Sequence, residues 1–261
     1  PWTVGGVGCA RWSGVRLADV LAAAGPKAGA IYTAHYGADP HLSGDPEKRA
    51  LSRGIRLEKA MEPHTLLAFA MNGAPLPQVH GAPLRLLVPG WTGSASQKWL
   101  SHIQLRDVEH DGQGMKGTSY RVPVEPIVPG AEHDGTGFRI LESMPVKSLI
   151  TRPADGTTLG GGESEFEVRG HAWAGELEVA EVWVTIDFGQ SWQRAELAAP
   201  VNGYAWQRWR TRVSLPTPGY YEIWARALDS EGRSQPFAAP NWNPGGYGGN
   251  AYHRIAVLAE A

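Results

Sequence analysis

The chain has 261 residues, of which 42% are hydrophobic and 19% are charged, and its formal net charge is −2. This balance is typical of a globular protein and gives no electrostatic reason to expect a nucleic acid as partner, so any anion-binding site must be local. Because the chain has a single cysteine, Cys9, an internal disulfide and a multi-thiolate metal site are excluded. The sequence contains no run of eighteen apolar residues, so it predicts no membrane-spanning helix.

The first third of the chain predicts a mixture of helices and strands. Residues 13–25 predict an amphipathic helix, because apolar residues recur there at helical spacing and Gly25 follows as a stop signal. Residues 28–36 predict a strand that leads into a polar loop, and residues 66–71 predict another strand, turned by Asn72-Gly73. An irregular mixture of this kind favours an α+β fold.

The next segment, VHGAPLRLLVPGWTGSASQKWL at residues 79–100, places a histidine, an arginine and a lysine around one apolar strand. That strand, residues 84–88, is interrupted only by Arg85, as expected of a strand covered on both faces. A loop of small residues then leads to Lys98, and backbone N–H groups beside a cation can bind phosphate oxygens. The segment therefore predicts an anion pocket, although spacing alone leaves open a surface loop with solvated charges.

Prolines and glycines interrupt any regular period between residues 122 and 144, which indicates a domain junction. We therefore expect one domain at residues 1–142 and another at residues 143–261. In the second domain, short segments of alternating polarity predict strands at residues 164–170, 178–188, 208–214, 220–228 and 252–258. Turn signals at regular spacing between them favour an all-β sandwich of the immunoglobulin type.

A series of motifs runs through the chain: ARWSGVRLADVL, YGAD, AFAMNGAPLP, VHGAPLRLLVPGW, QKWL, KGTSYRVP, MPVKSLITRPADG, GHAWAG and WNPGGYGGNAYHRI. In this order and spacing, the series resembles the sulfite oxidase family of molybdenum-cofactor oxidoreductases. The resemblance implies the C-terminal portion of an α+β molybdopterin-binding domain, followed by an all-β Ig-like dimerisation domain. It also implies Mo-molybdopterin as the cofactor.

The resemblance assigns six residues to binding of that cofactor. His80 and Arg85 match the family's positions that contact the pyranopterin phosphate and ring, and the loop that completes this site matches Ser96, Gln97 and Lys98. Asp39, in the YGAD motif, is similar to the acidic residue at the polar edge of the pterin. Taken alone, Asp39 is equally a turn former before a proline.

Two aromatic residues resemble the family's catalytic positions. Tyr120 is similar to the tyrosine that points at the oxo ligands, where a phenol can donate a hydrogen bond or a proton. Trp2, paired with Trp12 by its spacing, resembles an aromatic wall of the substrate pocket. The alternatives are a loop anchor for Tyr120 and a core residue for Trp2.

The chain departs from the family pattern at two places. The cysteine that ligates molybdenum in relatives belongs to a stretch ahead of the position of Trp2, and Cys9 is not that cysteine, so we expect Cys9 to be a small packed residue and this chain alone to be inactive. Gly245 stands where several relatives have an oxyanion-binding arginine. Arg254 occupies a different position of that motif.

The implied activity is oxidation of sulfite to sulfate, with electrons passed to a c-type cytochrome. A homodimer and a periplasmic location are expected by resemblance. Two alternatives remain: a relative that acts on another sulfur compound or on nitrate, or a non-catalytic fragment whose β-sandwich mediates dimerisation.

Overall fold

A computed structural model describes residues 6–160, 165–239 and 242–260, and the chain divides into two compact units. The first unit contains residues 7–142 together with residues 242–247, which we call the return segment. The second unit contains the described residues of 143–239 and 248–260. The domain boundary predicted from the sequence did not anticipate the return segment, because prolines and glycines mark a turn there but do not say where the chain packs.

Strands dominate the first unit. Its elements are β1 (Trp12–Arg16), α1 (Leu17–Ala24), β2 (Tyr32–Gly37), β3 (Ser52–Arg56), α2 (Leu57–Ala60), β4 (Leu66–Met71), β5 (Ala74–Pro75), β6 (Arg85–Leu87), β7 (Leu100–Arg106), β8 (Arg121–Pro123) and β9 (Phe138–Ile140), with 3₁₀ turns at Gln78–His80 and Gly93–Ala95. In one sheet β4 pairs with β1, β5 and β6; in another β2 lies between β3 and β7; and β8 pairs with β9. All these pairs are antiparallel. The α component is thus a helix of about two turns and shorter helical turns.

The helix predicted from residue 13 begins later, because its first residues form β1. Ser13 pairs with Ala70 in β4, and the register shifts between Ser13 and Gly14. Gly14 lies so close to β4 that a Cβ atom there would be 2.8 Å from Ala68 Cα. The prediction was therefore wrong for this turn, where close backbone packing overrides helical spacing. It was right at the other end, where Gly25 ends α1 in the left-handed conformation with φ 68°.

The strand predicted at residues 84–88 is present as β6, but it is covered on one face only. Leu86 and Val88 are buried, whereas Leu84 and Leu87 are half-buried. At its edges, β6 pairs with β4 on one side and with an irregular segment on the other, where Leu86 N donates to Gln97 O at 2.9 Å. Arg85 is accordingly half-buried at the edge of the core.

The core of the first unit joins α1 to the two larger sheets. Its buried members are Leu17, Leu21, Ile55, Ala60, Leu67, Leu86, Val88, Trp91 and Ala95. Since the last four belong to β6 and the loop after it, the anion-pocket segment is anchored to the core.

The second unit consists of two sheets around one core. Its strands are β10 (Lys147–Arg152), β11 (Thr157–Leu159), β12 (Glu165–Trp173), β13 (Val179–Thr185), β14 (Gln193–Arg194), β15 (Glu196–Leu197), β16 (Gln207–Ser214), β17 (Gly219–Asp229) and β18 (His253–Ala259). The sheet orders are β10-β12-β16-β15 and β11-β18-β17-β13-β14. Buried residues of both sheets, such as Val168, Trp209, Val182 and Ile223, belong to one cluster. This arrangement confirms the predicted β-sandwich. In the described part of the chain, no helix is both long enough and apolar enough to span a membrane.

Candidate active site

The site is built around a loop that is fastened to strand β6. Ser96 follows the 3₁₀ turn Gly93–Ala95, and its Oγ accepts a 3.0 Å hydrogen bond from the backbone N–H of Val88. Leu100 N donates to Leu84 O at 2.8 Å, so the chain from Ser96 to Leu100 runs beside β6. This geometry brings Ser96, Gln97 and Lys98 next to Arg85.

The 3₁₀ turn that ends at His80 accepts hydrogen bonds from both nearby cations, Arg85 and Lys98. Arg85 Nη1 donates to the carbonyl of His80 at 3.2 Å, and Lys98 Nζ donates to the carbonyl of Val79 at 3.2 Å. Gly81 follows with φ 107°, and a Cβ atom there would be 2.8 Å from Lys98 Cβ. Only glycine permits both this backbone conformation and this close approach. His80 itself is exposed.

Asp39 and Gln97 meet at Gly37, the last residue of β2. A Cβ atom at Gly37 would overlap Asp39 Oδ1, and it would lie 2.5 Å from Gln97 Nε2 and 2.9 Å from Lys98 O. The structure therefore collects the six predicted cofactor-binding residues in one region, which we call the cradle: Asp39, His80, Arg85, Ser96, Gln97 and Lys98.

Two buried polar atoms of the cradle have no hydrogen-bond partner, Arg85 Nε and Gln97 Oε1. Burial lowers the pKa of Arg85, which nevertheless remains a cation at neutral pH. Because buried polar atoms are normally hydrogen-bonded, these two atoms leave one donor and one acceptor that a ligand could satisfy. The cradle thus fits a phosphate-bearing heterocycle such as a pterin.

A second cluster surrounds Tyr120. The Tyr120 backbone has φ 50°, and its ring stacks on that of Tyr247 in the return segment, with 4.9 Å between centroids. The guanidinium carbon of Arg53 lies 4.8 Å from the centroid of the Tyr120 ring. Burial raises the pKa of the Tyr120 phenol, while the charge of Arg53 and a hydrogen bond with the Ser94 side chain act in the opposite direction.

One loop therefore links the two clusters. The 3₁₀ turn Gly93–Ala95 packs against β3, the strand that carries Arg53, while residues 96–98 belong to the cradle. Sequence reasoning named the cradle residues and Tyr120, but it did not single out Arg53 or Tyr247. The only local signal for Arg53 was a charged residue between Ser52 and Gly54 in an otherwise unassigned segment.

Three further positions complete the comparison with the sequence predictions. Trp2 lies outside the described residues. Its predicted partner Trp12 has its ring 5.3 Å from the guanidinium carbon of Arg85, so it lies beside the cradle. Cys9 is exposed, and the prediction of a packed residue was wrong, because residues 7–10 form no regular structure and Gly8 and Cys9 face solvent.

At Gly245, the position where the family resemblance led us to compare with an arginine, the Tyr247 ring leaves no room for a side chain. A Cβ atom at Gly245 would lie 2.7 Å from two ring carbons of Tyr247. Arg254 belongs to the second unit, where its guanidinium lies 4.1 Å from the centroid of the Phe237 ring. Among the described residues, no group of three or more His, Cys, Asp or Glu side chains could hold a metal ion.

Two protein-family models match the chain. The oxidoreductase molybdopterin binding domain matches residues 1–114, and the Mo-co oxidoreductase dimerisation domain matches residues 139–260. Tyr120 falls between the two matched ranges.

Several named proteins are similar over nearly the whole chain. Mitochondrial sulfite oxidase from Homo sapiens is 36% identical, with 99% of this chain and 48% of that protein covered. Inducible nitrate reductase [NADH] 1 from Glycine max is 31% identical, with 97% and 31% covered. The crystal structure of the sulfane dehydrogenase SoxCD from Paracoccus pantotrophus matches with a TM-score of 0.77 and 25% identity, covering 97% of this chain and 63% of that chain. The chain spans about half the length of the sulfite oxidases it matches.

Proposed function

Because the chain belongs to the sulfite oxidase family of molybdenum-cofactor oxidoreductases, we propose that it forms the pterin-binding and dimerisation part of an enzyme that oxidises sulfite to sulfate. The observation that carries this proposal is the loop at residues 93–98, which packs at its start against β3, the strand whose Arg53 lies at the Tyr120 ring, and forms part of the cationic cradle at its end. One segment thereby positions the residues for the cofactor and the residue for the reacting oxygen.

The cofactor of this family is Mo-molybdopterin, and when bound it supplies two-electron, oxygen-atom-transfer chemistry. In the cradle, Arg85 and Lys98 would neutralise the phosphate, and the unsatisfied Arg85 Nε would gain a partner. Gln97 and Asp39 would hydrogen-bond the polar edge of the pterin. His80 and Ser96 shape the turn and the loop that hold these side chains.

We infer that the thiolate ligand for molybdenum comes from outside these 261 residues. Cys9 is the one cysteine of the chain, and it is exposed. We propose that the ligand belongs to a segment ahead of Pro1 in the full-length polypeptide.

Tyr120 is proposed to donate a hydrogen bond or a proton to the oxygen that is transferred. Burial raises the pKa of its phenol, so the phenol is protonated at neutral pH and available as a donor. The net reaction converts sulfite and water to sulfate, two protons and two electrons. A c-type cytochrome would accept the electrons one at a time, and since the chain has no CxxCH motif, the haem would be carried elsewhere.

We further propose a homodimer formed through the second unit, which matches a dimerisation-domain model. A periplasmic location remains a proposal from the family resemblance alone.

The test uses the full-length protein with the segment ahead of Pro1. We expect one molybdenum and one pterin per chain, and reduction of cytochrome c that depends on sulfite. The 261-residue chain alone is the control, because without the thiolate it should hold no stoichiometric molybdenum. Full-length protein with bound molybdenum but no sulfite-dependent reduction would refute the assigned substrate.

A second candidate is a relative that acts on nitrate or on another sulfur compound. It is favoured by Gly245, which replaces a cation expected for sulfite, and by the similarity to nitrate reductases and to a sulfane dehydrogenase. Turnover measured side by side on sulfite, thiosulfate and nitrate separates these substrates. The remaining alternative, a non-catalytic dimerisation fragment, predicts no turnover on any of them.

A further inference from the structure

Arg53, in β3, is a fully buried cation, with 0% of its surface exposed. Its Nη1 donates to the carbonyl of Gly114 at 2.5 Å and contacts Met115 Sδ at 2.9 Å. Its Nε and Nη2 atoms are buried and have no hydrogen-bond partner. Within the described part of the chain, no carboxylate lies at salt-bridge distance from it.

Such an arrangement is uncommon, because buried arginines are normally paired with an acid. Burial is the main cause that lowers the pKa of Arg53, and the charged and titratable groups around it are Tyr32, Tyr120, Tyr247, Arg121, His35 and His110. Three neutral phenols do not cancel a full positive charge, and the guanidinium stays protonated in proteins. The first unit therefore keeps an uncompensated positive charge beneath Tyr120, in surroundings where water screens charge weakly.

The charge of Arg53 lies beside the tyrosine that the return segment contacts, and at Gly245 that segment carries no cation. The Tyr247 ring occupies the space that a side chain at Gly245 would need, and the same ring stacks on Tyr120. Arg53 lies 4.8 Å from the centroid of the Tyr120 ring. The chain thus lacks an arginine in the return segment but has one from β3 beside the same tyrosine.

We propose that Arg53, buried and without a carboxylate partner beneath the Tyr120 ring, supplies the positive potential that holds a small dianionic oxyanion at Tyr120. This inference rests on the proposed function, because it assigns the anion to the site of Tyr120. Arg53 acts as a positioning residue, because it attracts the anion electrostatically from beneath the Tyr120 ring without touching it. Its guanidinium is held in place by Gly114 and Met115.

The experiment compares R53M and R53K with the unmutated full-length holoenzyme. Binding of sodium sulfate is measured by calorimetry, thermal unfolding by circular dichroism, and KM and kcat with sulfite. R56M is the matched control, because Arg56 lies in the same strand but is exposed and paired with Glu142 at 2.7 Å.

We expect R53M to raise the Kd for sulfate and the KM for sulfite by about tenfold, as for the loss of one unit charge acting over several ångströms at protein-like screening. R53M should unfold at an unchanged or higher temperature, because an apolar side chain replaces an unpaired buried charge. R53K should retain most of the affinity, and R56M all of it. A purely structural Arg53 predicts the opposite pattern, with a lower unfolding temperature and unchanged sulfate affinity in R53M.

Three results would overturn the inference: no sulfate binding by the unmutated protein, equal sulfate affinity in R53M and the unmutated protein, or a loss in R53K as large as in R53M. The last result would show that the charge at this position does not hold the anion, and it decides the inference even where R53M does not fold, because R53K keeps the charge. The proposed function fails separately: an unmutated enzyme that binds sulfate through Arg53 but does not oxidise sulfite keeps the inference and refutes the substrate.

Discussion

The backbone N–H of Val88 donates a hydrogen bond of 3.0 Å to the side-chain oxygen of Ser96, and this bond joins the cradle loop to the end of β6. Val88 is 2% exposed, so no water can replace the serine as acceptor. The same loop carries Gln97 and Lys98 into the cradle. Its stability and its capacity to hold a ligand therefore depend on one hydroxyl group.

Replacement of this hydroxyl should destabilise the first unit. In S96A the Val88 N–H is left buried and unsatisfied, which costs about 1–3 kcal/mol of unfolding free energy. Urea titration followed by tryptophan fluorescence measures this loss. S13A is the control, because Ser13 is exposed in β1 of the same unit and its loss should cost under about 0.5 kcal/mol. Equal stability of the two variants would contradict the role given to Ser96.

Gly37 should be intolerant of any side chain. In G37A the new methyl group would meet Asp39, Gln97 Nε2 and the Lys98 carbonyl, so the loop has to move away from β2. We expect a loss of about 1–3 kcal/mol in unfolding free energy, the usual effect of overpacking, together with lower pterin content of the full-length protein. G203A is the matched control, since a Cβ atom at Gly203 meets nothing within 4 Å. A G37A protein with full pterin content would refute the close packing described for the cradle.

The sequence predicted those parts of the fold and site whose determinants lie close together in the chain. β4 and α1 carry their apolar pattern and stop signals locally, and His80, Arg85 and Lys98 fall within one segment of about twenty residues. Strand β3 was missed because SRGIR has one large apolar residue, Ile55, and its strand conformation comes from pairing with β2. Gly54 permits that pairing, since a Cβ atom there would be 2.7 Å from Tyr32 Cε1.

The surroundings of Tyr120 could not be predicted for the same reason. Arg53 lies far before Tyr120 in the sequence. Tyr247 belongs to the same unit as Tyr120, although most of the second unit lies between the two residues along the chain. Neither residue has a local pattern that indicates a charge beneath an aromatic ring. Only the tertiary structure brings them together, which is why a family resemblance assigned Tyr120 but not its neighbours.

Acid should destabilise the protein through His35. This residue is fully buried, and burial, followed by the charges of His110 and Arg53, lowers its pKa from 6.5 to about 3. Above pH 6.5 the imidazole is neutral in both the folded and the unfolded state, and its neutral form bonds Thr33 Oγ1 at 2.7 Å. Below pH 6.5 the unfolded chain binds a proton at His35, whereas the native protein does not bind it until about pH 3. The unfolding free energy therefore decreases as the pH is lowered, by up to about 1.4 kcal/mol per pH unit.

The variant H35Q isolates this contribution, because glutamine can hydrogen-bond Thr33 without titrating. Unfolding free energies from urea titrations between pH 4 and pH 7 should show a shallower acid slope in H35Q than in the unmutated protein. H102Q, at an exposed position of the neighbouring strand β7, serves as the control. An H35Q protein with the full acid slope would show that other groups account for it.

Tyr120 should affect the chemical step more than binding. In Y120F the ring still stacks on Tyr247 and covers Arg53, but the phenolic donor is gone. We expect kcat for sulfite to fall by about 100-fold, as for loss of a general acid, with a much smaller change in KM. Y220F is the control, because Tyr220 is exposed in the second unit. A rise in KM with unchanged kcat would instead assign the tyrosine to substrate binding.

Arg85 should determine cofactor retention and contribute little to the stability of the chain without cofactor. Its Nε is buried without a partner, and its one hydrogen bond in the described structure is the 3.2 Å bond to the carbonyl of His80. R85M keeps the buried stem and removes the charge that would neutralise the phosphate. We therefore expect the pterin and molybdenum content of full-length R85M to fall by about tenfold, as for loss of a charged hydrogen-bonding partner. Fluorescence of the released, oxidised pterin and elemental analysis measure the two contents.

R16M, at an exposed arginine at the end of β1, should retain both the pterin and the molybdenum. If R85M also keeps full pterin and molybdenum, the phosphate is held elsewhere, and the unsatisfied Arg85 Nε needs another ligand.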